Sequence, residues 1–299
     1  MQANPQYLNR SSQFWGYVRI ISEKVGYSKR GANSVRNITK EEAYKKLSSL
    51  EISIKEDMLN DVINYLNYRA DILNNNVQHN LMNLQEAKSF FLQLQKVHSF
   101  DCYMCKLPFN KQKKEKYDYA FFTGIVNILT EQYLKSFAKK HNLTYGVDVK
   151  FDDDPSALTY VKDFNNEVQG ALSRRFDGAF PSTINPKAIW EIKEYYYTTS
   201  FGSRIADGVF ETQLDGHEIN ELSHLVEGDI KHIYFIDAYG TWWEKGKSYL
   251  CRIIDMLHMG LVDEVIVGKE VLSRWPEVLE EIATRYLEKE TLEYNYPTR

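Results

Sequence analysis

The sequence predicts an α/β fold, and three observations predict it. Short runs rich in apolar residues (Arg175–Phe180, Lys187–Lys193, Lys231–Asp237, Glu264–Val267) read as strands. Between and before them lie longer segments whose apolar residues recur at helical spacing. Turn residues punctuate the two kinds: Pro181, Asn185 and Pro186 stand between the first two runs, as a hairpin connection requires. The 299 residues, 43% of them hydrophobic, suffice for one large domain or two modest ones with ordinary cores.

In chain order, residues 1–115 read as a mainly helical region. Thr39 followed three residues later by Glu42 is a capping-box pattern and starts a helix. Helical spacing continues through Asp57–Ile72 and Asn80–Gln95. The basic stretch KQKKEK (Lys111–Lys116), following Pro108, marks the boundary to a second region, residues 116–299. There, Tyr117–His141 predicts a helix with Glu131 on its more polar side. One further strand is expected at either Tyr145–Phe151 or Leu158–Phe164, and Asp152, Asp153 and Asp154 before Pro155 read as a solvated turn. After the hairpin, Ser203–Leu225 predicts a helix weakened by Gly208 and Gly216. Lys247–Met259 is an amphipathic helix stopped at Gly260, and Val271–Leu287 is the last helix.

The chemistry concentrates in RRFDGAFPSTINPKAIWEIKEYYY, where thirteen residues separate Asp177 from Glu191 and Lys193 follows two positions on. Strand residues two apart face the same side, so Glu191 and Lys193 project together while Trp190 and Ile192 enter the opposite layer. Pairing of the two strands brings Asp177 beside Glu191. Two carboxylates and an ammonium at a sheet edge suit a hard divalent cation: Mg²⁺ takes one or two carboxylates, keeps several waters and draws further ligands from phosphate. Without a metal, adjacent carboxylates repel and one tends to keep its proton.

This pattern resembles the active site of the PD-(D/E)XK, or restriction-endonuclease-like, nuclease superfamily, although Phe176 stands where the family's name puts a proline. The order helix, hairpin, helix, strand, helix, strand, helix extends the resemblance over roughly residues 117–290. It implies an αβββαβ core, with a mixed central sheet flanked by helices. It implies a Mg²⁺-dependent endonuclease hydrolysing DNA phosphodiester bonds, of the type II-like restriction or phage-defence kind, with Mn²⁺ able to substitute. Asp177 and Glu191 would bind the metal and Lys193 would assist the water. Glu131 would complete the metal site, and Gln213 would be an accessory residue, with His217 where relatives carry a Tyr and with Asp207 and Glu211 as helical neighbours. The alternatives are a structure-selective DNA repair nuclease, an RNA nuclease, or a non-catalytic DNA-binding subunit that retains the fold. The helical region ahead of the core would serve either target recognition or formation of a homodimer.

A net charge of −4 argues against indiscriminate coating of nucleic acid, but local charge decides binding. Met1–Lys46 holds nine Lys or Arg against three Glu, and Lys29, Arg30 and Arg36 beside Gly26 and Gly31 form a basic loop suited to phosphates. Arg174, Arg175, Tyr195 and Arg204 surround the carboxylates and suit the sugar–phosphate backbone of double-stranded DNA. Cys102 and Cys105 with His98 lack the four ligands of a structural zinc site and read as partly buried reduced thiols. Three cysteines are too few for a disulfide framework. No leader is seen and no apolar stretch reaches the roughly 18 residues of a membrane helix. A cytoplasmic, prokaryotic setting without a membrane partner is the expectation.

Overall fold

The N-terminal helices begin where polar side chains reach otherwise unpaired amides. In the computed structural model, which describes residues 1–29, 32–110, 118–197, 203–223 and 230–295 (side chains of 203–204 and 289–295 excepted), Ser11 caps α1 (Ser12–Val25). Thr39 and Glu42 form the expected reciprocal capping box of α2 (Lys40–Ser48). α3 (Glu56–Ile72) passes through a π-helical turn, Leu73–Val77, into the single-turn α4 (Gln78–Asn80). Asn83 and Glu86 build a second capping box for α5 (Leu84–Phe100). α1, α2 and α3 enclose a core of their own around Trp15, Leu47, Tyr65 and Leu66.

The later part of the chain is a mixed four-stranded sheet between helices. Its order is β3 (Gly178–Phe180), β4 (Ala188–Glu194), β5 (Lys231–Asp237), β6 (Glu264–Val267). β3 runs antiparallel to β4, and β4, β5 and β6 are parallel. Parallel neighbours need crossovers, which α7 (Ser203–Ser223) and α8 (Lys247–His258) supply. These two helices cover the face bearing Tyr234, Ile236, Val265 and Val267. α6 (Phe121–Lys140) and α9 (Arg274–Asn295), with α5, cover the face bearing Trp190, Ile192, Phe235 and Ile266. The protein is therefore of the α/β class, with its elements in the expected order. α5, which precedes the boundary expected near residue 115, packs into the same core as α6.

The one further strand takes a different form. Tyr145–Phe151 reduces to an isolated bridge between Tyr145 and Val149, followed by one between Asp152 and Ala179 of β3. Leu158–Phe164 contains β1 (Tyr160–Lys162), which pairs antiparallel with β2 (Val168–Ala171) in a separate two-stranded sheet. The acidic run ends the first candidate after a single bridge, and it is no solvated turn. The Asp152 carboxylate accepts from the Thr183 amide at 2.7 Å, and that of Asp153 accepts from the Lys106 amide. Only Asp154 is exposed. Among the described residues, no helix is long and apolar enough to cross a membrane.

A buried ion pair joins the N-terminal helices to the sheet layer. Arg69 of α3 donates to both oxygens of Asp255 on α8 at 2.9 and 2.8 Å and to Ser22 of α1 at 3.0 Å, and the Tyr65 hydroxyl donates to Asp255 at 2.7 Å. Removing one partner leaves the other charge buried and uncompensated, which costs about 3–5 kcal/mol. Asp255→Ala is therefore expected to lower the urea unfolding free energy by about that amount. Asp255→Leu combined with Arg69→Met is expected to regain much of the loss.

Candidate functional site

β4 is nearly buried along its length and divides two environments. Trp190 and Ile192 enter the layer of α6 and α9, while Glu191 and Lys193 face α7 beside Tyr234. Asp177 stands just before β3. Its amide donates to the Trp190 carbonyl at 3.1 Å, and its Oδ2 accepts from the Ile192 amide at 2.7 Å, between Glu191 and Lys193. Close packing sets this position: a Cβ at Gly178 would lie 2.1 Å from the Trp190 indole, so only glycine admits the crossing. The hairpin thus brings together the three residues that the spacing singled out.

Glu191 is 4% exposed and held by two cations. Lys193 Nζ donates to Oε1, and Arg174 Nη2 stands 3.3 Å from Oε2. Arg174 in turn forks onto Asp215 of α7, with Nε and Nη2 each 2.8 Å from a carboxylate oxygen. Glu211, one turn earlier on α7, places Oε2 at 3.7 Å from Lys193 Nζ. Among the described residues, Asp177, Glu191, Asp215 and Glu211 thus surround Lys193 and Arg174. Burial pushes the Asp215 carboxyl up to about 6 against the pull of Arg174. Burial opposes the Lys193 charge, but Glu191, Tyr234, Tyr195 and Asp177 outweigh it and hold its pKa above the ordinary lysine value. Lys193 is an ammonium group at neutral pH.

Among the described residues, no group of three or more His, Cys, Asp or Glu converges as a metal cage. The donor set at the hairpin is the two carboxylates of Asp177 and Glu191. That fits a cation such as Mg²⁺, which takes most ligands from water and phosphate, and does not fit a closed zinc site.

Other expected residues are placed differently. Glu131 is fully buried, not on a polar side of α6: its carboxylate accepts from the Met104 amide at 2.9 Å and the Cys105 amide at 2.7 Å and pairs with Lys135 at 3.0 Å. It anchors the loop after α5 instead of joining Asp177 and Glu191. Gln213 lies two positions from both Glu211 and Asp215, hence on the opposite side of a helix with 3.6 residues per turn. Asp215 occupies the place expected of it; its signal was the four-residue spacing from Glu211. Arg174 is engaged with Asp215 and Glu191, Arg175 is exposed and donates to the Ser156 carbonyl at 3.4 Å, and Tyr195 is half-buried against Trp242 with ring centres 5.6 Å apart. Arg30 and the Arg204 side chain lie outside the described residues. Lys29 is exposed, whereas Arg36 is pinned to Glu42 and, at 3.2 Å, to the Val25 carbonyl. Cys102 is exposed and Cys105 buried, and His98 Nε2 faces the Cys105 carbonyl at 3.1 Å, so these residues do not share a metal-binding geometry.

The loop bearing Lys29 and Arg36 reaches the same end of the sheet. Asn33 Oδ1 accepts from Trp243 Nε1 at 2.8 Å, and Val35 packs in one core with Trp242 and Ile205. Trp242 Nε1 donates to the Lys193 carbonyl at 3.3 Å, and Thr241 Oγ1 to the Tyr195 carbonyl at 2.7 Å.

Two further acids were missed in the sequence. Glu194, the last residue of β4, accepts from the Phe122 and Thr123 amides at 2.6 and 3.3 Å and so caps α6. Asp237, its neighbour across β5, accepts from the Met82 amide at 2.8 Å and from the Tyr196 hydroxyl. Loss of solvent, with the Asp237 and Asp177 charges, pushes Glu194 up to about 8 despite its two amides. Its folded pKa is raised, so the stability it contributes is full below about pH 4 and is lost as pH rises through 8. Glu194→Gln keeps an acceptor for α6 and carries no charge. Urea midpoints are expected to shift in its favour over the wild type between pH 5 and pH 9; a gap independent of pH would contradict the assignment.

Residues 1–76 match the family described as Domain of unknown function (DUF7690). No curated protein and no solved structure matches the chain. Residues 82–282, more than half of the 299, match the family described as Domain of unknown function (DUF7687), and the chain belongs to that family.

Proposed function

We propose that this protein is a Mg²⁺-dependent endonuclease with a restriction-endonuclease-like core that cuts double-stranded DNA, in a restriction or phage-defence setting. The observation that carries the reading is the placement of Asp177, Glu191 and Lys193 on one hairpin, with the Asp177 carboxylate lodged on the Ile192 amide between the other two. The single bridge of Asp152 to Ala179, followed by β3, β4, α7 and β5, supports an αβββαβ reading in which the first strand is reduced to one residue.

Asp177 and Glu191 are the residues that would hold the cation, and a pair of carboxylates beside an ammonium suits a hard divalent ion that takes its other ligands from water and phosphate. When bound, such an ion lowers the pKa of its water and neutralises charge developing at phosphorus. Lys193 already carries its proton and does not serve as a general base at neutral pH. It orients the attacking water by donating to it, and it offers its ammonium to the charge that grows on the phosphoryl oxygens. Tyr195 and Tyr234 limit water access beside it.

Plasmid cleavage with and without Mg²⁺ tests the reading. Asp177→Ala, Glu191→Ala and Lys193→Ala are each expected to lower the rate by on the order of 10²–10³ without loss of fold. Ca²⁺ is expected to support DNA binding but not cutting, and Mn²⁺ to replace Mg²⁺. Near wild-type cutting by Lys193→Ala at saturating Mg²⁺ would refute the assignment.

The cations divide into two expected classes. Lys29→Ala and Arg175→Ala should each weaken DNA binding and reduce its salt slope by about one, as lost phosphate contacts do. Arg36→Ala should instead lower stability by on the order of 1 kcal/mol, because its partner Glu42 is half-exposed and solvent screens the pair. Salt titrations of binding, set beside urea melts, separate the two.

A further inference from the structure

We propose that Asp215 is a positioning residue for metal binding: it holds Arg174 by one edge so that the guanidinium stays beside Glu191 without closing on it. This rests on the nuclease reading above. The geometry is asymmetric. Arg174 meets Asp215 at 2.8, 3.0 and 2.8 Å through Nε and Nη2, but its contacts to Glu191 are 3.3 and 3.4 Å. A second hold comes from Phe176, over whose ring the Arg174 Cζ stands at 5.2 Å. Asp215 is fully buried on α7 and has no freedom to follow the guanidinium, so the fork is fixed at that edge.

The arrangement solves a competition. A guanidinium and a carboxylate left alone close to a bidentate pair at about 2.7–2.9 Å. Such a pair would take both oxygens of Glu191 and exclude a cation from them. With its Nε–Nη2 edge anchored on Asp215, Arg174 keeps a looser contact with Glu191. Asp215 then balances the arginine, and Glu191, with Lys193 on its Oε1, keeps an Oε2 that Arg174 engages only loosely and a metal can reach. Asp215 acts through Arg174, not by touching the ion.

A double-mutant cycle read by electron paramagnetic resonance of Mn²⁺ titrated into the purified protein tests this without relying on cleavage. Asp215→Asn is expected to weaken Mn²⁺ binding by about tenfold, the scale of losses when an outer partner of a metal ligand is removed. Arg174→Ala is expected to bind Mn²⁺ at least as well as the wild type. In the Arg174→Ala background, Asp215→Asn is expected to have no further effect, since the competitor is gone. An equal loss in both backgrounds would mean that Asp215 acts only as bulk charge, and would overturn the proposal. Arg174→Lys, which keeps the charge but cannot be held as a fork, supplies a second variant and should mimic Asp215→Asn; wild-type affinity there would count against the proposal. Glu191→Gln separates the two readings. If the wild type binds no Mn²⁺, or Glu191→Gln binds it equally well, the nuclease reading fails. If Glu191→Gln loses binding while Asp215→Asn keeps it, only the role of Asp215 fails.

Discussion

Burying the Glu191 carboxylate in the interior of β4 is the constraint from which the arrangement around it follows. A carboxylate withdrawn from water costs several kcal/mol unless cations and donors replace the solvent. Strand alternation places one cation, Lys193, on the same face two residues later. The second, Arg174, comes from the segment entering the hairpin and is itself withdrawn far enough to need a counter-ion. Asp215 provides it from α7, which must approach β4 closely. The helix does so at Gly208, where an added Cβ would lie 3.0 Å from the Tyr195 hydroxyl and 3.2 Å from Lys193 Cε. One buried charge thus determines which residues α7 turns inward and how near it lies.

The opposite face of the same strand is governed by aromatic packing. Trp190 meets Trp275 of α9 edge-on at 5.3 Å, and Trp275 meets Phe235 of β5 at 5.0 Å. On this face β4 itself carries no ionisable side chain until it ends. There Glu194 falls by alternation on the apolar side, where only the exposed amides at the start of α6 make a carboxylate tolerable. Its raised pKa is the residue of that compromise: two amides favour the charge, while lost hydration and neighbouring acids oppose it more strongly.

Most of the order of elements was legible because strand and helix periods are local properties. The same locality made Asp177, Glu191 and Lys193 visible, since alternation and a turn suffice to bring them together. What failed required knowledge of partners. Distance along the chain from Lys193, which points to Gln213, does not fix the rotation of α7; the helix buries Asp215 beside Arg174 and leaves Glu211 exposed, 3.7 Å from Lys193. Helical spacing puts Glu131 on a polar face, yet an irregular loop at Met104 and Cys105 delivers amides to a buried one. Charge alone suggests Arg174 and Arg36 as phosphate ligands, while Asp215, Glu191 and Glu42 engage them. The strand expected between residues 145 and 164 had two candidates of similar composition. Neither makes a ladder with β3, because an acidic run ends one and β2 captures the other.

The N-terminal helices are not a loosely tethered addition to this site. Arg69 and Asp255 lock α3 to α8 through a buried pair, so the two units cannot separate without exposing an uncompensated charge. At the other end, a short relay runs from Asn33 to Trp243, and from its neighbour Trp242 to the carbonyl of Lys193. The basic loop therefore abuts the strand end that carries the ammonium group. In the proposed reading, a phosphate held at Lys29 would lie at the end of the sheet where the Asn33 loop meets Trp243 and Trp242 meets Lys193. Affinity contributed by the helical unit could then act at the site as orientation, which is how remote binding energy becomes useful to a chemical step.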